Sequence, residues 1–369
     1  MENNNNFFNK EIPLKFPAKK PKFFMKRKSA ISLAVFLILF LWLWSQIYLP
    51  RDFKQGQEIV FSIKSGQGLK DISLNLKNQG IIRSKFLFKV YVLLADSAKE
   101  LKAGKYKLSA SLNIPQIINK FVKGETIKEK IVILEGWNLQ DIADYFEKRG
   151  ISPKDDFFKE AGYPAAYYFE KKGAVASRDF SENFSFLEEK PKNIGLEGYL
   201  FPDTYEIKEG EGIDEILTRL LDNFGKKITP DLKEEAGRQK KTFFEVLTMA
   251  SLLEKEVRTI EDKKVVAGIL WKRLKNGWPL QVDSTLTYIT GKESKDLTKK
   301  DMEIDSPYNT YRYKNLPLGP IANPGIESIK AALYYEESPY WFYLTTPEGK
   351  TVLSRTLEEH VAAKNKYLK

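Results

Sequence analysis

The longest apolar stretch runs from Ala30 to Leu49, AISLAVFLILFLWLWSQIYL, with no charged residue in it. At about 1.5 Å per residue a helix of this length crosses a hydrocarbon core of about 30 Å. Trp42, Trp44 and Tyr48 cluster at its far end, where amphipathic rings favour a membrane interface. Lys26, Arg27 and Lys28 precede it, so the positive-inside rule places the N-terminus in the cytoplasm and residues 51–369 outside. A cleaved signal peptide is the alternative. The run is longer than a usual signal core and no small-x-small cleavage site follows, which favours an uncleaved single-pass anchor over residues 30–49. Residues 1–29, rich in Asn and Lys, read as a disordered cytoplasmic tail.

After the anchor the period changes. EIVFSIKSG alternates as a strand does, and LKDISLNLKNQG carries helically spaced apolar residues before a stop at Gly80. SKFLFKVYVLLAD predicts a second helix with Ser84 as its N-cap. AGKYKLS predicts a strand, NIPQIINKFVKG a helix starting near Pro115, KEKIVILEG a strand, and NLQDIADYFEKRG a helix ending at Gly150. Residues 51–150 thus read as a small α+β binding region with a strand–helix–helix–strand unit. Residues 151–194, Phe- and Tyr-rich with short helical runs, read as a helical linker or lid. A larger α+β domain is expected over residues 195–369. Within it, FFEVLTMASLLEKEV predicts a helix continuing through KKVVAGILWKRLKNGWPL to Gly277, with Glu256 facing solvent. YWFYLTTPEGKTVLS predicts a hairpin.

Composition narrows the chemistry. The chain of 369 residues has no cysteine and one histidine, His360. Thiol nucleophiles, Cys-ligated metals and a His-rich metal site are therefore excluded, and His360 reads as a surface residue on a terminal helix. No cofactor or metal is expected. The net charge is +11, and about half of the excess lies in residues 1–29. The remainder suits an anionic polymer or simply reflects surface lysines, and no basic–aromatic ladder points to nucleic acid. Reactive groups must then be carboxylates, hydroxyls, amides or lysines.

Four segments could carry them. In GLEGYLFPDTYEI, Gly195 and Gly198 flank Glu197, and Leu196, Tyr199, Leu200 and Phe201 can bury it. Burial raises a carboxyl pKa, as a general acid near neutral pH requires. A Glu in a Gly-rich turn is equally an ordinary surface residue. In the second segment, Glu254 follows the stripe of Leu247, Ala250 and Ser251, placing it at the core rim or in a cleft. In LQVDSTLTYITG, Gln281 and Asp283 share a side if the backbone is extended, whereas Asp283 is otherwise a helix N-cap. SPYNTYRYKNLPLGPIANPG is a long proline-rich loop offering Tyr308 and Asn309 to a ligand.

Together LEGYLFPDTY, ASLLEKE, LQVDSTLTY, SPYNTY, LPLGPIANPG and the closing WFYL strand resemble the endolytic murein transglycosylase (YceG-like) family, in order and approximate spacing. The resemblance covers most of the chain and implies an N-terminal transmembrane helix, a LysM-like region and a catalytic domain. It implies cleavage of peptidoglycan glycan strands at the MurNAc–GlcNAc bond with 1,6-anhydro-MurNAc ends. Glu197 would be the single acid/base, with Asp203, Glu254, Gln281, Asp283, Tyr308 and Asn309 holding sugars. Peptidoglycan synthases are the protein partners it suggests. A water-using peptidoglycan hydrolase, which needs a second carboxylate roughly 5–10 Å away, and a non-catalytic cell-wall binding protein are the rival readings.

Overall fold

The structure, a computed structural model, describes residues 27–53, 57–64, 66–164, 179–192, 194–208 and 210–368. The expected cytoplasmic tail lies outside these residues, apart from its last few positions, as does the middle of the expected lid. The chain divides into two compact units, Met1–Glu125 and Thr126–Lys369.

The first unit begins with α1 (Arg27–Tyr48), an apolar helix with a membrane-length stretch over Ile31–Tyr48. Then follow β1 (Ile59–Ile63), α2 (Leu69–Asn78), α3 (Lys85–Leu94), β2 (Gly104–Leu108) and α4 (Ile114–Lys123). β1 and β2 pair antiparallel, with Phe61 opposite Tyr106. The inward-facing side chains of this ribbon, Phe61, Ile63, Tyr106 and Leu108, are buried with Ile72, Leu76, Phe88, Val92 and Phe121 from the helices. Ser84 caps α3 by accepting from the Leu87 amide. Asn113 and Gln116 form a reciprocal capping box on α4, which closes at left-handed Gly124.

The second unit contains β3 (Lys128–Ile133), α5 (Leu139–Lys148), α6 (Lys154–Ala161), β4 (Asp203–Lys208), α7 (Ile213–Lys227), α8 (Pro230–Arg238), α9 (Phe243–Glu256), α10 (Ile260–Lys275), α11 (Asp283–Thr290), α12 (Lys299–Met302) and α13 (Ile326–Leu333). It closes with the hairpin β5 (Phe342–Thr345) and β6 (Thr351–Ser354), then α14 (Leu357–Tyr367). α9 is the core helix: Val246, Leu247, Ala250, Leu252 and Leu253 are all inaccessible to solvent, and α8, α10, α11 and α13 pack on it.

Three differences from the sequence reading have physical causes. Residues 128–150 belong with the second unit rather than with 51–127, because β3 pairs antiparallel with β4. Its Ile131 and Ile133 share one core with Tyr205 and Ile207 of β4. The described part of the expected lid also contributes to the core: Phe157 and Phe158 of α6, with Phe180 and Leu187, are buried in that cluster. The long helix after Phe243 is two helices. Val257 turns extended (φ −141°, ψ 151°), and Thr259 starts α10 afresh by accepting from the Asp262 amide.

Candidate active site

The β3–β4 ribbon brings two distant loops together. Ile133, at the end of β3, sits opposite Asp203, at the start of β4. The chain therefore leaves for Gly136–Leu139 at the same end where Gly195–Pro202 arrives. Glu197 is on the second loop, and α5 begins on the first.

Two glycines fix the Glu197 loop. A Cβ on Gly195 would come within 2.4 Å of the Ala161 carbonyl oxygen, which accepts from the Leu196 amide at 2.7 Å. Gly198 has φ +87°, and a Cβ there would lie 2.6 Å from Pro320. Only glycine allows this turn to lie between α6 and the proline-rich loop.

Glu197 is only 3% exposed. Its Oε2 accepts from the Leu139 amide at 3.1 Å and from the Tyr288 hydroxyl at 2.9 Å. Leu139 is the first residue of α5, capped by the Asn138–Asp141 box, so the amide is one of the helix's unpaired N-terminal donors. Oε1 receives a longer contact from Asn323 Nδ2, at 3.4 Å. Burial pushes the Glu197 pKa up from 4.5 to about 8, while the Leu139 and Tyr288 donors and the Lys255 charge hold it down. A carboxyl raised in this way favours the protonated acid at neutral pH. Because Oε2 already takes two donors, the proton belongs on Oε1.

Asn323 ties the surroundings together. Its Oδ1 accepts from the Leu200 amide at 2.9 Å, its Nδ2 donates to the Trp137 carbonyl at 2.9 Å, and its backbone bonds to both Gly136 and Trp137. Tyr288 stacks edge-on with Tyr308, ring centroids 5.3 Å apart.

A cleft of 830 Å³ lies on the same unit, lined by Lys255, Glu256, Gln281, Asp283, Tyr311 and Tyr343 among others. Lys255 joins it to the Glu197 region, donating to the Gly136 carbonyl at 3.2 Å. α11 also connects the two, carrying Asp283 at its start and Tyr288 one turn and a half later.

The sequence-derived residues divide accordingly. Gln281 and Asp283 do line one cleft. Gln281 holds a positive φ of 54°, a conformation uncommon for a residue with a side chain. Asp283 is not the cap of α11. Val282 is, and the Asp283 carboxylate accepts instead from the Tyr311 hydroxyl. Glu256 points inward rather than to solvent, accepting from the Ser284 amide at 3.3 Å and the Tyr343 hydroxyl at 3.2 Å, and burial raises its pKa.

The remaining candidates serve the scaffold. Glu254 pairs with Lys263 at 3.0 Å and accepts from the Gly325 amide and Ser328 hydroxyl. Asp203 accepts from Asn223 and pairs with Lys227 at 3.3 Å. Asn309 is fully buried and bonds to the Met302 and Ile304 carbonyls and the Tyr311 amide, bracing the loop. Tyr308 is 5% exposed and supports Tyr288. His360 is half-buried and stacks on Phe342. Leu139, Tyr288 and Asn323 escaped the sequence reading. Asn323 lies within LPLGPIANPG and Tyr288 closes LQVDSTLTY, but a backbone amide such as that of Leu139 leaves no residue-type signal.

Residues 61–366 match the model of the YceG-like family, and the chain belongs to that family. It is 33% identical over 317 residues to the endolytic murein transglycosylase of Bacillus subtilis (strain 168), covering 83% of this chain and 84% of that one. It is 29% identical to the endolytic murein transglycosylase of Streptococcus pneumoniae serotype 2 (strain D39 / NCTC 7466), covering 85% of this chain but only 59% of that longer protein. Among solved structures, a 2.6 Å crystal structure of a yceG-like protein from Listeria monocytogenes shares 35% identity at a TM-score of 0.53, covering 84% of this chain and all of that one.

Proposed function

We propose that this protein is an endolytic murein transglycosylase that cuts peptidoglycan glycan strands with Glu197 as its only acid/base. The observation that carries the assignment of Glu197 is its buried carboxyl, with both close donors on Oε2 and Oε1 left for a proton; burial raises its pKa. The names and identities of the curated relatives support the activity.

Glu197 donates the Oε1 proton to the glycosidic oxygen between MurNAc and GlcNAc as the C1–O bond breaks. The carboxylate left behind is stabilised by the Leu139 amide at the α5 N-terminus and by Tyr288. It then takes the proton of the MurNAc C6 hydroxyl as O6 bonds to C1 and closes the 1,6-anhydro ring. Glu197 ends protonated, and no water is consumed. The bound hydroxyl acts at high effective concentration because it belongs to the same sugar. A hydrolase would need a second free carboxylate. Of the carboxylates that could serve, Asp203 and Glu254 are held by cations, Asp141 by the α5 capping box, and Asp283, in the cleft, by the Tyr311 hydroxyl.

The glycan strand occupies the cleft beyond Lys255, with Gln281 and Asp283 as sugar-binding groups. α1, about 33 Å long at 1.5 Å per residue, anchors the chain by a single span with the N-terminus cytoplasmic. The βααβ unit that follows is the LysM-like region. This arrangement would put cleavage beside newly made strands and their synthases.

The test is mass spectrometry of products from un-crosslinked glycan strands, with the wild-type protein beside Glu197→Gln. Fragments ending in 1,6-anhydro-MurNAc, absent with the variant, are expected. Fragments one water heavier would make it a hydrolase. Unchanged cleavage by the variant would remove Glu197 from the chemistry.

A further inference from the structure

α3 has two apolar faces. Phe88 and Val92 are buried in the core of the first unit. On the opposite side Phe86, Val90, Leu93 and Leu94 fall at helical spacing on one stripe. Among the described residues, nothing in the unit covers the ends of that stripe: Phe86 is 64% exposed, Leu93 63% and Leu94 83%. A soluble surface helix of ten residues rarely leaves three large apolar side chains this open.

The end of α1 is built into the same unit beside this helix. Ile47 packs against the unit's core, and the Tyr48 ring meets Tyr91 of α3 edge-on at 6.2 Å. Asn113 Nδ2 donates to the Tyr48 carbonyl at 3.1 Å, Arg83 Nη2 to the Pro50 carbonyl at 2.7 Å, and the Asp52 amide to the Ala110 carbonyl at 3.0 Å. The chain therefore passes from the apolar helix into the folded unit with no slack between them. Phe53, 71% exposed, follows at once. On the α3 wheel Tyr91 lies between the buried face and Leu94, so the open stripe adjoins the side that receives α1. Lys85 and Lys89 flank its other side.

We propose that the Phe86–Val90–Leu93–Leu94 face of α3 seats in the outer leaflet of the membrane that α1 crosses, fixing the first unit on the bilayer surface. The inference rests on the reading of α1 as a span. An apolar stripe flanked by lysines, on a helix tethered to the end of a span, has the make-up of an interfacial helix, and the lysines suit anionic headgroups.

The chain has no cysteine, so single-cysteine probes can be placed at will. Phe86→Cys, Leu93→Cys, Leu41→Cys in the span and Lys77→Cys on the exposed end of α2 would each be labelled with an environment-sensitive fluorophore. The full chain would be reconstituted in phosphatidylglycerol–phosphatidylethanolamine vesicles. Quenching by a shallow nitroxide lipid (and, for the mid-span probe at 41, a deep one) would be compared with quenching by aqueous iodide. Probes at 86 and 93 are expected to be quenched by the lipid and to show an iodide slope several-fold, roughly three- to tenfold, below that at 77. If 41 is lipid-quenched while 86 and 93 respond to iodide like 77, the span stands and the docked face is wrong. If 86 and 93 are shielded from both quenchers, another protein or a second copy covers the face, and the proposal is again wrong. If 41 itself escapes the lipid quencher, the span reading fails and this inference fails with it.

Discussion

Tyr288 donates its hydroxyl to Glu197 Oε2 at 2.9 Å, joining α11 to a loop 91 residues earlier in the chain. A donor of this kind favours the charged carboxylate and so lowers the pKa. Burial pulls the other way and is the larger effect. In Tyr288→Phe the opposing donor is gone, so the Glu197 pKa should rise above about 8. The alkaline limb of the kcat/KM profile should move up by roughly half a unit to one unit. Turnover should fall by about tenfold, because the weaker acid gives its proton to the glycosidic oxygen less readily and the carboxylate it leaves is less stabilised. An unmoved limb with lower turnover would mean that Tyr288 only packs against the site.

Glu197→Gln should cost at least about 100-fold in turnover while making the protein more stable. The folded-state pKa is raised from 4.5 to about 8, so the native state holds a proton that the unfolded chain has lost within that window. Its contribution is therefore complete below pH 4.5 and lost as pH rises through 8. Gln mimics the protonated acid at every pH. The stabilisation of the variant should be small at pH 5 and grow to on the order of 3–5 kcal/mol by pH 9. Thermal unfolding of both proteins at the two pH values checks this. Equal differences at both would show that the carboxyl is not buried as an acid.

How far the site could be read in advance depended on what kind of signal each part left. Period and caps were legible: β1, α2, α3, β2, α4, β3 and α5 fall where alternation, helical spacing, Ser84 and Gly80 place them. For Glu197 the two glycines and the run of large apolar residues allowed a buried or a surface carboxyl alike; the structure buries it, and only the family resemblance singled it out as an acid/base. The pairing of β3 with β4, some seventy residues apart in sequence, was not legible. That pairing alone moves residues 128–150 into the second unit and aims the Leu139 amide at Glu197. Asn309 and Glu254 read as ligand groups because polar residues in a loop or at a core rim look the same whether they bind a sugar or brace a backbone. Their partners, the Met302 and Ile304 carbonyls and Lys263, decide the matter.

Asn323→Ala should damage both fold and catalysis. The side chain satisfies the buried Leu200 amide and the Trp137 carbonyl and touches Glu197 Oε1. Leaving these groups unpaired should cost about 2–4 kcal/mol. With the Gly136–Trp137 segment no longer tied to the Glu197 loop, turnover should drop even at temperatures where the variant stays folded. Chemical denaturation and product formation, measured on the same preparation, separate the two effects. A loss of stability with normal turnover would restrict Asn323 to the scaffold.

Gly195→Ala tests the close approach of the Glu197 loop to α6. The new methyl would sit 2.4 Å from the Ala161 carbonyl oxygen, a backbone atom that cannot swing aside. The loop must retreat and weaken the Leu196–Ala161 hydrogen bond. A destabilisation of about 2–4 kcal/mol is expected, with activity reduced beyond what the unfolded fraction explains. Gly237→Ala, in a helix with open space around the added methyl, is the control and should be neutral or mildly stabilising. Equal behaviour of the two variants would show that the loop is free to shift.

Glu256→Gln addresses whether the glycan fills the cleft. Glu256 stands among its lining residues with Asp283, Tyr311 and Tyr343, and its carboxylate is held by the Ser284 amide and the Tyr343 hydroxyl. Burial, with the nearby Asp283 charge, raises its pKa, so the neutral amide should be accepted without loss of fold. If sugars lie along this cleft, the change should raise KM about fivefold to twentyfold, equivalent to roughly 1–2 kcal/mol of binding. It should leave kcat and the alkaline limb set by Glu197 in place. A change in kcat with KM untouched would instead mean that Glu256 acts on the chemical step through α11, and that the strand reaches Glu197 by another route.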